Sequence, residues 1–96
     1  MPDIAMIKNL ISPIGQQYGV KRIYLFGSYA KGTANDESDI DLLIEKGKPM
    51  SLLKLSSMRQ DIEAAFNKSV DLLTTAGIEK AFMDEIAGTE VLIYEE

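Results

Sequence analysis

The chain contains no cysteine and no histidine. These absences exclude disulfides, thiol nucleophiles, zinc sites of the usual nitrogen and sulfur kind, and any imidazole base. Any catalysis has to run on carboxylates, Lys and Arg, hydroxyls and a metal ion. Basic charge is scarce as well: 10 Lys and Arg against 15 Asp and Glu leave a net charge of −5. A surface that tracks a phosphate backbone is normally basic, so an extended nucleic-acid partner is not expected. No apolar run approaches the ~18 residues of a membrane span. The start, Met1-Pro2-Asp3, lacks the basic region of a signal peptide. The sequence therefore reads as cytoplasmic.

What is present is ordinary in bulk. Of 96 residues, 46% are hydrophobic and 26% charged, the balance of a soluble globular protein. Residues 1–96 read as one domain, a length that buries roughly 60 to 65% of its unfolded-chain surface. There are no internal repeats, linkers or low-complexity segments.

Residues 3 to 18 have helical spacing, with Ile7, Leu10, Ile11, Ile14 and Tyr18 on one stripe. Pro13 lacks an N–H and predicts either a kink or two short helices, and Gly19 suits the C-terminal stop. Arg22 to Phe26 reads as a buried strand, broken by Gly27-Ser28. A short polar segment runs through Lys31-Gly32, and a turn-rich loop follows from Thr33 to Ser38. A second strand is expected over 39–45. Ser51 then caps a helix from Leu52 to Phe66, with Leu55, Met58, Ile62, Ala65 and Phe66 inward. A third strand over 69–74, a helix over 78–87 and a strand over 91–94 complete an α/β (α+β) layout of a small sheet with helices packed on it.

The chemistry concentrates between Arg22 and Glu45. On a strand, Asp39 and Asp41 would share a face, roughly 6 to 7 Å apart. Asp71 is a third acid in an otherwise apolar strand. Two like charges ~4 Å apart repel by about 4 kcal/mol at an effective dielectric of 20, so converging carboxylates need a cation or a purpose. Mg²⁺ takes oxygen ligands, commonly one or two carboxylates plus phosphate oxygens. The Gly27-Ser28 turn offers backbone N–H groups and a hydroxyl to a phosphate. Asp36 and Glu37 are expected to face solvent, Ser38 to orient Asp39, and Tyr29 either to stack on a base or to pack.

Gly27-Ser28, ten intervening residues, then Asp39-Ile40-Asp41 resembles the signature of the DNA polymerase beta-like nucleotidyltransferase superfamily. At this length the chain looks most like the minimal nucleotidyltransferases, or MNT proteins. The resemblance implies the nucleotidyltransferase fold with a small mixed sheet, and Asp39, Asp41 and Asp71 as catalytic, metal-binding residues for Mg²⁺, with two ions expected. It further implies ATP as substrate, Gly27 and Ser28 on the β/γ-phosphates, and Lys31 at a position basic in the family. Ser38 joins them as a binding residue. MNT proteins act as antitoxins that transfer AMP to a tyrosine of a HEPN-domain ribonuclease toxin, and such a partner is the implied acceptor. Two alternatives remain: a binding antitoxin that masks its toxin without chemistry, and nucleotidyl transfer to a small molecule.

Overall fold

A computed structural model describes residues 2–74, 84 and 88–96. The elements run α1 (Ile4–Tyr18), β1 (Arg22–Phe26), α2 (Gly27–Lys31), β2 (Ile40–Glu45), α3 (Leu52–Phe66), β3 (Val70–Thr74) and β4 (Val91–Glu95). The four strands form one mixed sheet in the order β3-β2-β1-β4. β1 is antiparallel to both β2 and β4, whereas β2 and β3 are parallel. The helix expected over 78–87 lies, but for Asp84, outside the described residues.

Local chemistry explains the helix ends. The Asp3 side chain accepts from the Met6 N–H at 2.8 Å, and Ser51 accepts from the Lys54 N–H at 3.1 Å, each satisfying a free first-turn donor. Gly19 closes α1 at φ +70°, a left-handed conformation that suits glycine. Pro13 does not split α1, which is a single helix. Pro13 is exposed, as is Asn9, whose carbonyl loses the missing N–H, so that end of the lost bond is on the solvent side of the helix.

Strand alternation divides the sheet into two faces. Ile23, Leu25, Ile40, Leu42, Ile44 and Val70 point into one core with Ile7 and Ile11 of α1 and Met58 and Ile62 of α3. The expected inward stripes hold at these positions, but Leu10 and Ala65 are exposed. The opposite face carries Phe26, Asp41 and Asp71 in register at one end, with Tyr24, Leu43 and Leu73 next to them. Phe26 and Leu43 are buried there too.

Candidate active site

The pairing of β1, β2 and β3 assembles the site. Asp41 lies opposite Phe26, the last residue of β1, on one side and opposite Asp71 on the other. Asp41 and Asp71 are thus direct neighbours across a parallel ladder, close enough for their carboxyls to hydrogen-bond. Asp39 does not share the strand. β2 begins at Ile40, so Asp39 ends the preceding loop and is exposed, a correction to the expected strand start. Its charge nevertheless reaches Asp41.

Partial burial, then the hydrogen bond with Asp71, then the charges of Asp71 and Asp39 push the Asp41 carboxyl up to about 6. Each of these effects disfavours a second negative charge in the same place. None of the three carboxylates has a Lys or Arg ion pair among the described residues; the ion pairs there join Lys21, Arg22 and Arg59 to three other acids, Glu45, Glu95 and Glu63.

The donor set suits a hard divalent cation: oxygen only, anionic and without a competing base. As they stand, no three acidic side chains among the described residues close on a single point. The Asp41–Asp71 pair is the part already in contact, and Asp39 stands beside it.

The glycine-serine turn lies against this pair. Gly27 and Ser28 open the five-residue helix α2, which sequence periodicity could not show because it is barely longer than one turn. Gly27 has φ +72°, and a Cβ built on it would lie 2.3 Å from Asp41 Oδ2. The Ser28 side chain is half-buried, and its carbonyl accepts from the Thr33 N–H at 3.0 Å, which holds the following loop. Lys31 is exposed at the last turn of α2.

Other expectations divide. Asp36 and Glu37 are exposed, as expected. Ser38 does not bond to Asp39: its hydroxyl accepts from the Asn35 N–H at 2.9 Å and reaches Asn35 Oδ1 at 3.4 Å. The Asn35 side chain also accepts from the Glu37 N–H at 2.8 Å, so the loop satisfies its own polar groups before Asp39. Tyr29 packs, 6% exposed in the core, with its hydroxyl buried and unpartnered among the described residues. What sequence reasoning missed was the Gly27–Asp41 contact, which depends on the register of β1 against β2.

Comparison with known proteins settles the family. The polymerase beta nucleotidyltransferase model matches residues 8–96. The chain belongs to this family. A Methanocaldococcus jannaschii protein that carries the name of a protein adenylyltransferase is 40% identical over 89 residues, covering 93% of this chain and 96% of that one. Among solved structures, a toxin-antitoxin complex with AMP-PNP has a chain that superposes with TM-score 0.81 at 22% identity, covering 93% of this chain and 73% of its own. A tri-AMPylated Shewanella oneidensis HEPN toxin in complex with an MNT antitoxin gives TM-score 0.75 at 18% identity, covering 97% and 73%. These two likenesses show the nucleotidyltransferase fold, with its mixed sheet and helices.

Proposed function

We propose that this nucleotidyltransferase is an antitoxin that transfers AMP from ATP to a tyrosine of a HEPN-domain ribonuclease toxin. The observation that carries the reading is the cluster of Asp39, Asp41 and Asp71 beside the Gly27-Ser28 turn, with no ion-paired Lys or Arg among the described residues. The names of its relatives and structural neighbours support the choice of AMP and of a protein acceptor. Residues 1–96 act as one minimal domain, in the cytoplasm, with the acceptor supplied by the partner.

Asp39 and Asp41 would hold Mg²⁺, with Asp71 completing the ligand set for two ions. When bound, such cations favour the deprotonated acceptor hydroxyl and offset the charge of the triphosphate. The Gly27 N–H and Ser28 hydroxyl hold the β/γ-phosphates, and Lys31 adds a point charge where arginine would give a bidentate fork. Ser38 contributes indirectly, by closing the loop that presents Asp39. The acceptor oxygen forms a bond to the α-phosphorus, the bond from that phosphorus to the bridging oxygen breaks, and pyrophosphate leaves. Asp71, the most open of the paired carboxylates, accepts the hydroxyl proton.

The test is intact-mass measurement of the partner toxin after incubation with this chain, ATP and Mg²⁺. Addition of one or more AMP units is expected. An unmodified but neutralised toxin would establish the binding-antitoxin reading, and AMP found only on small acceptors would establish the other alternative.

A further inference from the structure

Gly27 stands where β1 turns into α2, one residue beyond the cross-strand partner of Asp41. A Cβ there would meet Asp41 Oδ2 at 2.3 Å and Cγ at 3.1 Å. Neither separation can be held, so one side must move. The yielding atoms are the end of a short side chain on two rotatable bonds, not backbone. The fold would therefore survive a methyl group at Gly27, and the Asp41 carboxylate would be displaced from its place beside Asp71.

We propose that Gly27 is a positioning residue for metal binding, its bare Cα forming the wall that seats the Asp41 carboxylate against Asp71. The inference rests on the nucleotidyltransferase reading and deepens it. The phosphate role uses the Gly27 N–H, which alanine would retain; the positioning role uses the missing side chain, which alanine would not. Metal ligands are held by the groups packed around them, and loss of such support commonly weakens metal binding 10- to 100-fold.

Gly32 provides an internal comparison. Its φ is +75°, close to the +72° of Gly27, but a Cβ on Gly32 meets nothing within 4 Å. Gly27→Ala and Gly32→Ala thus impose similar backbone strain and differ in whether a carboxylate is struck.

Two measurements on the full chain test the proposal. The first is Mn²⁺ affinity without nucleotide, read by water-proton relaxation. Gly27→Ala should bind about 10- to 100-fold more weakly than both wild type and Gly32→Ala. Equal affinities in all three would overturn the positioning role while leaving the nucleotidyltransferase reading intact. A wild-type chain that binds no Mn²⁺ would overturn both. The second is a urea-denaturation cycle over Gly27→Ala, Asp41→Ala and the double variant. The midpoint shift caused by Gly27→Ala should shrink to that of Gly32→Ala once Asp41 is alanine. If Gly27→Ala alone does not fold, the double variant should; failure of both, or an undiminished shift, means that the backbone and not the carboxylate sets the glycine.

Discussion

The two ends of β1 handle charge in opposite ways. At its start, Arg22 lies between Glu45 of β2 and Glu95 of β4 in register, with Nη1 2.8 Å from Glu45 Oε2 and Nε 3.7 Å from Glu95 Oε2. Lys21 adds a second base 4.0 Å from Glu45. At its other end the same ladder sets Phe26 beside Asp41 and Asp41 beside Asp71. There an acid faces a ring and another acid. The paired end also has a hollow of about 380 Å³, lined by Lys21, Arg22, Gly47, Lys48, Glu95 and Glu96. Among the described residues, a hollow alone therefore does not identify the site. What distinguishes the two ends is that, among the described residues, one pairs its acids with Lys21 and Arg22 while Asp39, Asp41 and Asp71 at the other have no ion-pair partner.

The comparison breaks most severely if the unpaired end is neutralised. Asp39→Asn with Asp41→Asn should lower AMP transfer at least about 10³-fold, the equivalent of the several kcal/mol a metal site supplies to charge stabilisation. The folded chain and its complex with the toxin should persist. Intact mass and size-exclusion on the same sample check both; a double variant that still neutralises the toxin in cells as well as wild type shows that chemistry is dispensable. Next in size is Asp71→Asn, which removes one charge and the proton acceptor. Single-turnover transfer should fall by roughly 10²- to 10⁴-fold, with a smaller change in ATP affinity measured by calorimetry. If neither changes, Asp71 is only an edge-strand residue.

At the paired end the same kind of substitution should affect stability and spare the chemistry. Arg22→Met leaves Glu45 and Glu95 without their shared base. These pairs are partly exposed and screened by solvent, so the expected loss is modest, a fall in Tm of at most a few degrees. The transfer rate below Tm should be unchanged. A large drop in rate from Arg22→Met would mean that the two ends are coupled.

Patterns with long repeats were legible in the sequence. The bounds of α3 and its Ser51 cap were as expected, since a 15-residue stripe and a capping hydroxyl are both local signals. β1, β3 and β4 were legible to within a residue. α2 was not, because five residues are too few to show a period. That Asp39 and Asp71 both come near Asp41 was legible from type and spacing, but Asp39 does not share the strand with Asp41 as expected. The loop bonds among Asn35, Glu37 and Ser38 close the loop before β2 begins at Ile40, so Asp39 lies in the loop. The seat of Asp41 on Gly27 was beyond reach of any local reading. It exists only because Phe26 and Asp41 fall opposite each other, and register is a property of two segments 15 residues apart.

The smallest expected effect sharpens the comparison without touching activity. The Asp41 carboxyl is pushed up to about 6 from an ordinary 3.8 by burial, Asp71 and Asp39. In the unfolded chain the burial and Asp71 are gone, so the folded state binds this proton more tightly than the unfolded state. The stabilisation linked to the proton is fully present below pH 3.8, declines as pH rises toward 6, and is lost above it. In EDTA, Asp41 should therefore be a liability at neutral pH. Asp41→Asn should raise Tm at pH 7.5, while at pH 4 the two proteins should melt together. Much of this group remains open to solvent, which screens the repulsion, so the gain should stay below the ~4 °C that 1 kcal/mol gives a domain of this size. Added Mn²⁺ should reverse the order at pH 7.5, because the cation stabilises only the chain that keeps the carboxylate. If Asp41→Asn melts lower than wild type in EDTA at pH 7.5, the carboxylates at this end are already satisfied within the fold, and the contrast between the two ends of β1 disappears.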